Sequence, residues 1–123
     1  MTGRTIDDDA PCRLRLQRSA GSRLPAGAVK VDRSSPWGNP FVVGGPWHER
    51  SARAWAWSLD ARLPPPDSNA EAVQRFAERL VGDSAAQDRV RAHLRGRDLA
   101  CWCRLDEPCH ADVLLRVANQ AHP

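Results

Sequence analysis

Four soft ligands stand close together near the carboxyl end of the chain, in the pattern Cys101-x-Cys103-x5-Cys109-His110. Two chemistries suit these residue types. Zinc takes thiolates and imidazoles tetrahedrally, so Cys101, Cys103, Cys109 and His110 form a candidate ligand set. Thiol catalysis is the alternative. There Cys109, or a strand cysteine (Cys101 or Cys103), is the nucleophile, His110 moves its proton, and Asp112 caps the helix or orients a partner. The zinc-deaminase pattern is excluded, because His48-Glu49 lacks the intervening residue and Pro108-Cys109 has no second cysteine two positions on. A blander reading makes Cys101 and Cys103 small buried hydrophobes at a strand end.

The elements that must position these groups are legible around them. Leu99 to Cys103 reads as a strand on which Cys101 and Cys103 share one face, with Trp102 on the other. Arg104 to Pro108 is a polar turn, and Cys109 opens a helix whose stripe is Val113, Leu114, Val117, Ala118 and Ala121. The amino end of a helix presents free N–H groups and a positive dipole, which favours a thiolate placed there. Neighbours at a helix start diverge by roughly 100°, so Cys109 and His110 make an unusual pair in a closed zinc site.

A second stretch, Arg33-Ser34-Ser35-Pro36-Trp37-Gly38-Asn39-Pro40-Phe41, must be a shaped loop, because two prolines exclude helix and central strand. Arg33 and Ser35 offer groups for a phosphate or carboxylate; Trp37 and Asn39, with Trp102, offer stacking and hydrogen bonds to a planar ligand. The competing reading makes Trp37 a core plug and Asn39 a turn organiser. Gly38 reads as a residue chosen for conformations that others avoid.

With 123 residues, 41% hydrophobic and a net charge of +3, the composition describes one small domain. Mean hydropathy is −0.55 and the pI about 9.0. No apolar run spans a bilayer and no signal core opens the chain, so the expected location is cytoplasmic, with no membrane partner. In a reducing compartment, clustered cysteines argue for metal or thiol chemistry over disulfides. The positive charges are interspersed with acidic ones, and charge alone gives a weak case for nucleic acid.

Along the chain, residues 1–12 read as a disordered tail and 13–120 as one domain. Arg13 to Arg18 and Ala28 to Asp32 alternate as half-buried strands, and Phe41 to Val43 as a brief one. A helix is expected from Trp47 to Leu63 with Ala52, Trp55, Leu59 and Leu63 inward, stopped by a Pro-rich insertion near 63–68. Asn69 caps the next helix, whose stripe is Val73, Phe76, Ala77, Leu80 and Val81. Asp83-Ser84 restarts a third, with Val90 and Leu94 inward, and Gly96 closes it in the left-handed conformation.

Two blocks carry a family resemblance. Val29-x-Val31-x-Arg33-x-Ser35-x-Trp37-Gly38-Asn39-Pro40-Phe41, together with Leu94-x-Gly96-x-Asp98-Leu99-Ala100-Cys101-Trp102-Cys103 through Pro108-Cys109-His110-Ala111-Asp112-Val113-Leu114, resembles the uncharacterised bacterial and phage family domain of unknown function 4326. The Cys-x-Cys…Cys-His ending is more distantly similar to domain of unknown function 488, whose members look like open α/β sheets. The resemblance implies an α/β fold and the importance of both blocks, and supplies no reaction.

The expected fold is therefore α/β: a small single-domain open sheet, Rossmann-like, with flanking helices, and both loops converging on one pocket. Two functions stand open. One is an enzyme or binder for a nucleotide-like or other small anionic ligand, working by thiol and imidazole chemistry. The other is a non-catalytic zinc module with a structural or nucleic-acid accessory role.

Overall fold

The computed structural model describes residues 10–17 and 24–120. Three strands, β1 (Arg13–Arg15), β2 (Val29–Lys30) and β3 (Leu99–Cys101), form an all-parallel sheet in the order β1-β3-β2. The last strand in sequence thus lies in the middle. Arg13 pairs with Leu99 and Arg15 with Cys101 on one side, and Val29 pairs with Leu99 on the other. Leu99, Ala100 and Cys101 are all buried, as a central strand of an open parallel sheet requires. The alternating pattern of the outer strands extends further than their ladders do. Arg18 and Ala121 lie outside the described residues, as does most of the 1–12 tail, residues 1–9.

Four helices accompany the sheet: α1 (Glu49–Trp55), α2 (Asn69–Val81), α3 (Ser84–Leu94) and α4 (His110–Asn119). Each of the first three is started by a side chain that accepts from a free N–H of its first turn: His48 from Ser51, Ser68 from Glu71, and Asp83 from Ala86. Ser68, not Asn69, is therefore the cap of α2; Asn69 is its first helical residue, and its amide reaches over to the Pro108 carbonyl. Gly96 has φ +78°, the left-handed value read from its place after α3.

Helix α1 stops well short of Leu63. Ala56 adopts φ 61° and its N–H closes on the Ala52 and Arg53 carbonyls, so the chain reverses and Trp57 stacks on Trp55 with ring centroids 4.9 Å apart and 15° between planes. That aromatic pair, plus Phe76 edge-on to Trp55 at 5.5 Å, outweighs continued helical hydrogen bonding, and it leaves Leu63 exposed. Phe41 to Val43 forms no strand. Its backbone enters a turn in which Gly45 N–H donates to the Val42 carbonyl and Gly44 N–H to that of Pro66. The proline run is held to the body by this bond and by Arg75, which donates to the Pro64 carbonyl at 2.6 Å.

The core gathers Val31, Trp55, Phe76, Leu80, Val90, Leu94, Leu99 and Leu114 with the buried thiols of Cys101 and Cys109. Helix α4 is its keystone, packing on β3 and β1 and against α2 and α3. Val81 turns outward, because Ala72, Phe76 and Leu80 form the buried line of α2. No helix among the described residues is long and apolar enough to cross a membrane.

Candidate metal centre

Strand β3 ends at Cys101, not Cys103. The chain bends there, and the bend brings Cys103 Sγ to 3.9 Å from Cys101 Sγ. The side chain of Cys109, the residue before α4, makes no capping bond to the helix. Its sulfur joins the other two, so the three Sγ atoms all lie within 4.8 Å of one another. Cys101 and Cys109 are buried and Cys103 is half-buried. In a tetrahedral site with zinc–sulfur bonds of about 2.3 Å, neighbouring sulfurs stand about 3.8 Å apart. The trio thus already has nearly the spacing a zinc ion imposes. It lies at the carboxyl end of the central strand, where open α/β sheets place ligands.

His110 does not complete the set. Its Nε2 lies 2.6 Å from the Val31 carbonyl oxygen, and its ring stands edge-on to Phe76 at 5.4 Å. A carbonyl only accepts, so Nε2 carries the proton and Nδ1 of the neutral ring is left with a lone pair. Nδ1 faces the Cys109 sulfur at 3.7 Å. Of the four ligands read from the sequence, three converge. The fourth turns away, because adjacent side chains at a helix start point in different directions and the Val31 carbonyl, just after β2, holds this one.

The trio shares its protons. Cys101 is pushed down to about 3, chiefly by hydrogen bonds from Cys103 and then Cys109. Cys103 is pushed up by its bonds to the same two thiols. Cys109 feels an opposing bond to Cys101, yet is lowered overall by Cys103 and by His110. One thiolate is therefore stabilised by its neighbours. Ionising Cys103 beside the other two is opposed at such short range, and a cation between the sulfurs offsets that repulsion.

One residue of this site escapes pattern reading: Arg13 of β1. Its Nη2 donates to the Leu105 carbonyl at 2.8 Å and to that of Glu107 at 3.0 Å. Its Nε pairs with Asp112 at 3.3 Å, and the arginine side chain is only 9% exposed. Asp112 thus orients Arg13. Against the desolvation of burial, the nearby Cys109 sulfur and the charges of Asp112, Cys109 and Cys103 hold this guanidinium above its ordinary value. Alternation places Arg13 and Arg15 on one polar face; only the parallel register beside β3 buries one of them.

The loop after β2 is organised from within. Arg33 donates through Nε to the Asn39 carbonyl at 2.9 Å and through Nη2 to that of Phe41 at 2.8 Å. Ser35 Oγ donates to the Asp32 carbonyl and accepts from Trp37 N–H. Asn39 is buried; Nδ2 donates to the Ala72 carbonyl at 3.1 Å and Oδ1 accepts from Phe41 N–H at 2.9 Å. The Trp37 ring packs on Trp55 and His93. Trp102 links this loop to the cysteines through a bond from its Nε1 to Asp32 Oδ2 at 2.8 Å. The two loops do meet, at Asp32 and Trp102, while Trp37 and Asn39 face α1, α2 and α3. A cavity of about 810 Å³ opens elsewhere, lined by Phe41, Trp47, Leu59 and the Pro64–Pro66 run among others. Cys12 immediately precedes β1, where its N–H donates to Asp98 Oδ1 at 2.9 Å, and is not part of the trio.

A small open parallel α/β sheet with a three-thiol site at the end of its central strand is the class of protein defined here. The family model of domain of unknown function 4326 matches residues 14–120, and the chain belongs to that family. No curated protein and no solved structure matches.

Proposed function

We propose that Cys101, Cys103 and Cys109 together hold one thiophilic divalent metal, zinc before others, and that the domain acts through that centre. The observation that carries this reading is the sulfur spacing: 3.9 Å between Cys101 and Cys103, and all three sulfurs within 4.8 Å, against about 3.8 Å expected around zinc. Three protein ligands are the set that leaves a fourth position for water or a small ligand, whereas closed structural sites use four. Cys103, half-buried, gives that position a route to solvent. Nucleotide-like and other small anionic ligands are the class to screen on the metal-loaded protein. A zinc site that serves only as a structural staple is distinguished by chelation, which then unfolds the domain.

One contact favours a second reading. His110 Nδ1, 3.7 Å from Cys109 Sγ, is placed to receive that thiol's proton, and Cys109 would then be a nucleophile toward a small anionic ligand.

Metal content by mass spectrometry on protein purified without chelator, with thiols titrated before and after a chelator, separates the two. One zinc per chain, lost in Cys101→Ser, Cys103→Ser and Cys109→Ser, with thiols reactive only after chelation, supports the metal centre. A metal-free chain with one fast-reacting thiol that slows in His110→Phe sinks it and leaves the nucleophile.

A further inference from the structure

The guanidinium of Arg13 touches each part of the chain that delivers Cys109 to the strand. Nη2 holds the carbonyls of Leu105 and Glu107, both inside the loop that joins Cys103 to Cys109. Nε holds Asp112, in the first turn of α4. Nη1 is buried and has no hydrogen-bond partner. A buried cationic N–H without an acceptor is expensive and calls for one. Cys109 and Cys103 are the charged acceptors whose fields this guanidinium feels, besides its ion pair with Asp112. Three thiolates around a divalent ion leave one net negative charge, and a buried neighbouring cation offsets it.

Resting on the metal reading above, we propose that Arg13 is the positioning residue of the centre: it sets the Cys109 loop against β3, and its unpartnered Nη1 donates to a thiolate sulfur of the loaded site. Metal affinity then depends on the first strand, although that strand supplies no ligand. Outer-shell partners of this kind typically govern metal affinity by 10- to 100-fold.

The test compares zinc affinity, by competition with a chromophoric chelator, and the sulfur-to-cobalt charge-transfer band of the cobalt-loaded protein, in the wild-type chain and three variants. Arg13→Met removes both fork and charge, and is expected to weaken zinc about 10- to 100-fold and to shift the cobalt band. Arg13→Lys keeps the charge but cannot bond Leu105, Glu107 and Asp112 at once, and is expected to fall between. Leu14→Ala, on the opposite face of β1, perturbs the strand without touching the fork and is expected to bind as wild type does. Wild-type affinity in Arg13→Met overturns the proposal, as does an equal weakening in Leu14→Ala, which would assign the effect to the strand's fold. Should Arg13→Met fail to fold, Arg13→Lys decides, and an unchanged affinity there overturns it. A wild-type chain that takes up no zinc overturns the metal reading and this proposal with it; an indifferent Arg13 variant beside normal wild-type uptake overturns this proposal alone.

Discussion

Trp102 Nε1 donates to Asp32 Oδ2 at 2.8 Å, and this bond joins the loop after β2 to the bend that presents the cysteines. Asp32 is buried at 7% exposure. Its other oxygen accepts from Ser34 Oγ at 2.6 Å, so the carboxylate is held from both sides.

Trp102→Phe keeps most of the ring and removes the N–H, leaving Asp32 Oδ2 without this donor. The expected loss is about 1–3 kcal/mol of stability, read as a lower denaturant midpoint with an unchanged slope. Zinc stoichiometry is expected to persist. A midpoint equal to wild type would show that the bond is not a structural tie.

His110→Phe separates a ligand from a neighbour. The edge-on contact with Phe76 survives in part, while the bond to the Val31 carbonyl is lost and that buried acceptor goes unpaired. We expect destabilisation of about 1–3 kcal/mol with one zinc per chain retained. Loss of the metal at full stability would return His110 to the ligand set.

Gly38 is required by close approach. A Cβ built there meets Arg33 Cα at 2.7 Å, the Asp32 carbonyl oxygen at 2.9 Å and Ser51 Oγ at 2.9 Å, and two of those three atoms are backbone. The Gly38 carbonyl also accepts from Trp55 Nε1 at 2.9 Å. Gly38→Ala must displace the loop, with an expected cost of about 1–3 kcal/mol, measured by thermal unfolding. Unchanged stability would contradict the contact.

Asp83 gives a pH-dependent prediction well away from the thiols. Trp57 Nε1 donates to Oδ2 at 2.9 Å and Ala86 N–H to Oδ1 at 3.1 Å. These bonds, that from Trp57 first, hold its carboxyl below the usual value of 3.8. A depressed folded value means that stability is present above the unfolded pKa and is lost as pH falls through the folded one. At neutral pH Asp83→Ala is expected to cost about 1 kcal/mol as a lost helix cap. The gap between wild type and variant should narrow once pH drops below about 4. A gap constant down to pH 2 would refute the assignment.

Much of the scaffold is local, and local features are legible in the sequence. The stripes of α2 and α4 follow from 3.6-residue periodicity, and Gly96 takes φ +78° because a residue without Cβ adopts it freely. The mixed α/β class and the grouping of Cys101, Cys103 and Cys109 came from order and spacing alone. Boundaries depend on more than the local pattern. Ser68 displaced Asn69 as cap, and α1 ended early because the Trp55–Trp57 stack belongs to packing rather than to periodicity.

The identity of the site's partners was settled by the tertiary structure alone. Arg13 lies 96 residues before Cys109 in sequence (109 − 13), and only the parallel pairing of β1 with β3 brings its guanidinium to the cysteine loop. His110 is a ligand by type, and the fold sets its Nε2 2.6 Å from the Val31 carbonyl, just after β2. Trp37 and Asn39 had ligand-binding chemistry, and the fold turned them toward Trp55 and Ala72. Residue types and spacing determine what chemistry a side chain can do and which face of its own element it occupies. Which acceptor, sulfur or ring stands opposite depends on contacts between distant segments, and no local pattern encodes those.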